Sequence, residues 1–237
     1  MRLDKFLTEV GLGSRTEVKT LLKKKLITVN GQVITSPKEQ VDELADQVSH
    51  QGQPLVYEDL VYYLLNKPAG VISATEDSKH RTVLDLLDEA ARHKQVFPVG
   101  RLDKDTTGLL LLTNNGQLAH ALLSPKKHVD KTYEADVDGL MDEADVAAFA
   151  AGITLSDHQC LPAVLELLDM AEQTSRVRIT IREGKFHQVK RMVASRGKTV
   201  TRLKRLSMGP LSLPDDLPEG AYRRLTADEV TALLALV

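Results

Sequence analysis

The sequence predicts an α+β chain: a small N-terminal module of two helices plus hairpins, joined to a larger domain with a mixed, largely antiparallel sheet and flanking helices. Three observations carry this expectation. Residues 1–58 hold two short amphipathic helical stretches and an Asn-Gly turn, a unit too small and too charged to be the whole of 237 residues. Beyond it, helical and strand patterns follow one another without strict alternation, which argues against a parallel α/β sheet. At the centre of the larger part lies an apolar run, Leu109 to Leu112, that reads as a strand buried on both faces. The expected domains are therefore 1–58 and 59–237.

The elements follow in order. Leu3, Phe6, Leu7 and Val10 give one helical face, which Gly11 and Gly13 end. Ser14 and Glu17 form a capping-box pattern opening a second helix with Val18, Leu21 and Leu22 on its apolar side. Lys23, Lys24 and Lys25 close it, where positive charge suits the helix dipole. In "LITVNGQVI", Asn30-Gly31 between β-branched residues is a hairpin signal, and a second strand pair is expected around Gln47 to Val56. A linker near Tyr57 to Asp59 leads to a strand from Val61 to Leu65, then a turn at Asn66 to Gly70. A helix over about Thr82 to Arg92 comes next, then a strand into Gly100. Asn114-Asn115-Gly116 turns the leucine strand into a helix carrying Leu118, Leu122 and Leu123. "KTYEADVDG" and "SRVRITIREG" alternate at period two and read as strands, whereas "HQVKRMVASRG" has helical spacing and a stop at Gly197. Thr226 and Glu229 open a terminal helix with a second capping box.

The net charge of −2 hides a segregation along the chain. Arg176 to Arg205 contains eleven basic residues against one acid, Glu183, while Glu134 to Glu172 contains ten acids and no Lys or Arg. A polyanion-binding face with a repelling rear would have this pattern; two oppositely charged solvated surfaces would have it too. The single cysteine, Cys160, excludes an intramolecular disulfide and every cysteine-rich zinc pattern, in keeping with a reducing compartment. The N-terminus lacks a signal-peptide apolar region, and no segment approaches the roughly 18 apolar residues of a membrane span. A soluble, cytoplasmic, monomeric protein with no membrane partner is expected.

The stretch "VGRLDKDTTGLLLLT" places mixed charges directly ahead of the buried strand, where unpaired charge is costly. Asp103, Asp105 and Thr107 spell the D-x-D-x-T of haloacid dehalogenase phosphatases, but in those the apolar strand precedes the motif and here it follows. The other reading is one working carboxylate kept ionised by neighbouring cations that also meet phosphates, a site suited to sugar chemistry on nucleic acid.

Two resemblances sharpen this. "RLDKFL" and "SRTEVKTLLKKKLITVNG" resemble the S4 RNA-binding domain, which implies that Arg2, Lys5, Arg15 and Lys19, with Lys23 and Lys24, face RNA. "GRLDKDTTGLLLLT", with "LNKPAG" before it and "KTY", "EGKFHQVKRM" and "LPEGAYRRLT" after it, is similar to the RsuA group of bacterial rRNA pseudouridine synthases. That resemblance implies conversion of a uridine in rRNA to pseudouridine with no cofactor and no metal. It makes Asp103 the catalytic aspartate, by attack on C1′ or removal of the C2′ proton. Arg101 then helps displace the target nucleotide, Tyr133 packs on the flipped uracil, and Leu206 lines its pocket. Lys190 is the basic partner of the aspartate, with Arg191 as rival for that role and as a further RNA contact. Arg101 and Lys190 are expected to keep Asp103 charged, Asp105 to bind backbone groups in the turn, and His187 to position a loop. Within the group, 16S rRNA in a small-subunit assembly intermediate is the favoured substrate and 23S rRNA the alternative. A non-catalytic S4-containing ribosome-assembly protein is the reading from a different class.

Overall fold

In the computed structural model, which describes residues 1–237, the chain forms two compact units: residues 1–61 with 87–96, and 62–86 with 97–237. The first contains α1 (Leu3–Glu9), α2 (Arg15–Lys23) and a four-stranded antiparallel sheet. The strands are β1 (Ile27–Val29), β2 (Gln32–Val33), β3 (Val48–His50) and β4 (Gln53–Leu55), in the order β2-β1-β3-β4. The capping box is present: the Glu17 N–H donates to Ser14 Oγ at 3.4 Å, and the Ser14 N–H to the Glu17 carboxylate at 2.7 Å. Asn30 and Gly31 both take positive φ, 51° and 79°, the type I′ turn that matches strand twist. Leu3, Phe6, Leu7, Val18, Leu22, Ile27 and Val48 form this unit's core.

The helix expected over Thr82 to Arg92 is instead two pieces. A 3₁₀ turn covers Val83–Leu86, where the Asp85 carboxylate takes the Thr82 N–H at 2.7 Å. Asp88 then caps a separate helix, α3 (Glu89–His93), through the Ala91 N–H at 2.8 Å. The break also divides the chain, because residues 87–96 return to the first unit. There Lys94 donates to the Glu58 carbonyl at 2.7 Å and stands 4.6 Å from the centre of the Tyr57 ring.

The second unit is built on β5 (Tyr62–Lys67), β6 (Phe97–Pro98), β7 (Thr107–Thr113), α4 (Gly116–Leu123), β8 (Lys131–Asp138) and α5 (Glu143–Ala151). It continues through β9 (Val164–Met170), β10 (Thr174–Ile181), α6 (Gln188–Ser195), β11 (Thr199–Met208), β12 (Leu211–Ser212), β13 (Tyr222–Arg224) and α7 (Ala227–Leu234). The nine strands form one mixed sheet, as expected, in the order β13-β5-β7-β11-β8-β10-β9, with β12 on β11 and β6 on β7. Only β7 and β11 run parallel; every other pair is antiparallel. Every residue of β7 is buried, and Leu109 and Leu111 pack with Leu64, Leu118, Leu122 and Met208. Gly108 lies opposite Arg205 in the parallel pair, and a Cβ on it would stand 2.2 Å from the Arg205 carbonyl oxygen. No helix is long and apolar enough to cross a membrane.

The segregated charge does not separate in space. Strand β8, from the acidic stretch, lies between β10 and β11, from the basic one. Arg176 pairs with Glu134 at 2.5 Å and Arg202 with Asp136 at 2.8 Å. Arg196 and Lys198 close on the buried Asp145 at 2.7 and 2.8 Å. The two runs largely neutralise each other across the sheet, so the picture of a basic face with an acidic rear is corrected.

Candidate active site

The loop that carries Asp103 is clamped from below by a lysine. Lys67, the last residue of β5, is wholly buried. Its ammonium donates to the carbonyl oxygens of Asp103 at 3.0 Å, Thr106 at 2.8 Å, Pro68 at 3.1 Å and Lys104 at 3.4 Å. Burial lowers its pKa to about 8, against the pull of the Asp105 and Asp103 carboxylates. The "LNKPAG" segment and its continuation complete the clamp: the Gly70 N–H donates to the Lys104 carbonyl at 2.8 Å, and the Ser73 hydroxyl to the Leu102 carbonyl at 3.0 Å. A charged turn next to a buried strand thus has its backbone satisfied, which answers the cost of placing it there.

Above the clamp the Asp103 carboxylate is partly exposed and has two neighbours. His187 Nε2 lies 3.4 Å from one oxygen and Lys190 Nζ 3.3 Å from the other. Both come from α6 and its N-terminal cap, where His187 is left-handed at φ 48°. Lys190 sits closer to Asp105, at 2.7 and 2.9 Å. Burial alone would lower the lysine's pKa, but the two carboxylates hold it above its ordinary value, and Lys190 in turn holds Asp105 below the usual carboxylate range. This widens one expectation and corrects another. Asp105 shares a cation with Asp103 and, in the turn, also accepts from its own backbone N–H, so its role is wider than a backbone tie alone. Arg101 is exposed and makes no ion pair; the partners of Asp103 are Lys190 and His187.

Asp103 and Arg101 line a cleft of about 890 Å³ together with Lys131, Lys185 and His187. Phe186, exposed at its rim, stacks on His187 with ring centres 3.7 Å apart. A deeper recess is lined by Asp103, Tyr133, Lys131, Leu203 and Arg205. Leu206 is half-buried and does not line it; β11 presents Leu203 and Arg205 instead. Lys131, buried, donates to the Val129 carbonyl at 3.0 Å, and desolvation followed by the Arg205 charge lowers its pKa to about 8. Arg205, also buried, donates from Nε to the Leu109 carbonyl at 2.7 Å, and its Nη2 has no protein partner. Sequence reasoning missed Lys67, Lys131 and Arg205. For Lys67 and Lys131 the available signal was a cation at the end of an apolar or alternating strand, where charge needs a reason; Arg205 lies in a strand too rich in basic residues for one to stand out.

The basic residues assigned to RNA divide into two groups. Arg2 is engaged by Asp4 at 2.7 Å and Lys5 by Glu9 at 3.5 Å. Arg15, Lys19, Lys23 and Lys24 are exposed on or beside α2 and make no ion pair. Arg191 is held by both oxygens of Asp157, so it neither joins Asp103 nor stands free.

Comparison with known proteins shows what the whole chain is similar to. The family model for RNA pseudouridylate synthase matches residues 61–195, and that for the S4 domain matches 1–48. A Bacillus subtilis protein described as an uncharacterized RNA pseudouridine synthase, YtzG, is 45% identical over 234 residues, 98% of each chain. Ribosomal small subunit pseudouridine synthase A of Yersinia pestis is 40% identical over 98% of each chain. Ribosomal large subunit pseudouridine synthase B of Bacillus subtilis is also 40% identical, over 99% of this chain and 96% of that one. A crystal structure of a pseudouridylate synthase superposes with a TM-score of 0.69 at 36% identity, covering 98% of this chain and 99% of the other. Identity at this level through both matched segments leaves one assignment: the chain belongs to the RNA pseudouridylate synthase family, with an S4 domain ahead of the synthase domain.

Proposed function

We propose that this chain converts one specific uridine of 16S rRNA to pseudouridine in a small-subunit assembly intermediate, acting as a cytoplasmic monomer. Residues 1–58 hold the RNA and residues 59–237 carry the reaction. The observation that carries the reading is the Asp103 carboxylate, displayed at the cleft by a loop whose backbone Lys67 fixes, with the Lys190 ammonium at 3.3 Å as its ion-pair partner. The C1′–N1 bond of the target uridine breaks, the uracil turns, C1′ bonds to C5, and the C5 proton is lost while N1 gains one. Substrate and product are isomers, so no oxidant, reductant or transferred group has to be supplied. Asp103 starts the sequence at the sugar, by attack on C1′ or by taking the C2′ proton.

The target must leave its stack to reach the recess, and Arg101, free of any ion pair, is placed on the cleft wall to hold the vacated position or a phosphate. Tyr133 offers a flat apolar wall to the flipped uracil. Arg205 Nη2 and the Lys131 ammonium supply donors for its carbonyl oxygens. Small-subunit synthases among the relatives and the "RLDKFL" and "EGKFHQVKRM" segments favour 16S rRNA, while the large-subunit relative at the same identity makes 23S rRNA the second reading. Mapping pseudouridine in 16S and 23S transcripts after incubation with equal enzyme separates the two. One modified position in 16S rRNA supports the proposal; modification confined to 23S rRNA replaces the substrate, and none in either overturns the function.

A further inference from the structure

The loop between α5 and β9 closes on itself. The Leu155 N–H donates to the His158 carbonyl at 2.9 Å, the Cys160 N–H to the Ile153 carbonyl at 2.8 Å, and Gln159 Nε2 to the Gly152 carbonyl at 2.9 Å. This sets His158 Nε2 3.5 Å from Cys160 Sγ. Glu183, from the turn between β10 and α6, joins them, and the ligating atoms of the three side chains all lie within 4.8 Å of one another. None of the three has a part in the reaction described above.

We propose that His158, Cys160 and Glu183 form a binding site for a divalent transition metal of the zinc class, with a fourth position open to water. In a tetrahedral site with Zn–N near 2.0 Å and Zn–S near 2.3 Å, the N···S edge is roughly 3.5 Å. The His158–Cys160 pair already has that separation. A thiolate, an imidazole and a carboxylate together select zinc-like ions over magnesium or calcium, which prefer oxygen-only shells.

The surrounding shell is that of a supported site. Asp157 lies 3.0 Å from His158 Nδ1, which fixes the tautomer that leaves the Nε2 lone pair for an ion. Asp157 is itself held by the Arg191 guanidinium. Glu183 Oε2 accepts the Leu161 N–H at 2.9 Å and Gln188 Nε2 at 2.8 Å, which fixes the carboxylate beside the other two ligands. Gln188 is the first residue of α6, whose cap and first turn carry His187 and Lys190. A bound ion therefore ties the 152–160 loop to the end of α6 that flanks Asp103. It acts as a brace, and no reacting atom coordinates it.

The test uses the full-length, tag-free chain without RNA, stripped with chelator and titrated with Co²⁺ and then Zn²⁺, so its outcome is independent of the pseudouridine reading. One ion per chain at about 1 μM affinity or tighter is expected, with a thiolate-to-cobalt charge-transfer band that zinc bleaches. Zinc should also raise the melting temperature of the wild type. Cys160→Ser should lose the band and the thermal shift, Glu183→Gln should weaken binding at least about tenfold, and Asp157→Asn by about 10–100-fold. Glu183→Gln and Asp157→Asn leave the buried thiol in place, so the test does not rest on whether the serine variant folds. Absence of the band, or equal zinc affinity in wild type, Cys160→Ser and Glu183→Gln, would overturn the site and leave a plain S–H···Nε2 contact.

Discussion

Lys67 shows how one buried charge can shape a site it does not enter. Its ammonium replaces water for four carbonyl groups, three of them in the turn around Asp103. Lys67→Met keeps the bulk but orphans those acceptors, so a loss of about 2–4 kcal/mol in urea unfolding is expected. Displacement of the loop by about an ångström would lower single-turnover rate about a hundredfold, with RNA affinity unchanged. A variant with wild-type rate would show that the clamp does not position Asp103. Lys131 gives a pH signature. Its folded pKa, about 8, lies below the unfolded value, so the folded state sheds the proton first. The penalty for burying the charge is fully present below pH 8 and is relieved as pH rises towards the unfolded value of about 10.4. Between pH 7.5 and 9.5 the wild type should gain about 1–2 kcal/mol relative to Lys131→Met. Parallel pH profiles for the two proteins would place the group outside the low-dielectric interior.

At the scale of elements, the local signals were legible and the pairings were not. The Ser14–Glu17 and Thr226–Glu229 capping boxes, the Asn30-Gly31 turn and the leucine strand are read from neighbouring residues, and each forms. Strand β11 was invisible as an element because its lysines and arginines mask the alternation; burial of Leu203, Arg205 and Met208 follows from its place between β7 and β8. Helix α5 went unread because Ala-rich sequence leaves no clear apolar stripe, although Asp142 and Asp145 cap it. Asp103 was singled out by its motif, whereas Lys67 and Arg205 come near it only through strand neighbours far away in sequence. Gly108 is the tightest of these pairings. Gly108→Ala would push a methyl to 2.2 Å from the Arg205 carbonyl oxygen at a residue with φ 101°. A cost of about 3 kcal/mol or more is expected, read as a lowered urea midpoint, because the parallel β7–β11 pair must open. An unchanged midpoint would mean that the pair is not held that closely.

For the molecule as a whole, charge decides little until it is paired off. The acidic and basic runs cancel across β8, β10 and β11, which leaves the unpaired cations of α2 as a clear electrostatic footprint in the first unit. Replacing Arg15, Lys19 and Lys23 with alanine should weaken rRNA binding and flatten the slope of log affinity against log salt by about two units, at roughly 0.7–0.9 per phosphate contact. An unchanged slope would assign these residues a role other than holding phosphate. The central claim, that Asp103 opens the glycosidic bond of a uridine whose C5 then takes the sugar, is read most directly by tritium release. Bonding of C1′ to C5 displaces the C5 hydrogen, so rRNA labelled with 5-tritiated uridine should lose label to water with wild-type protein, up to one equivalent per RNA. Asp103→Asn should fall at least about a thousandfold in that rate while still binding the RNA. Tritium release by Asp103→Asn at near wild-type rate would contradict the account.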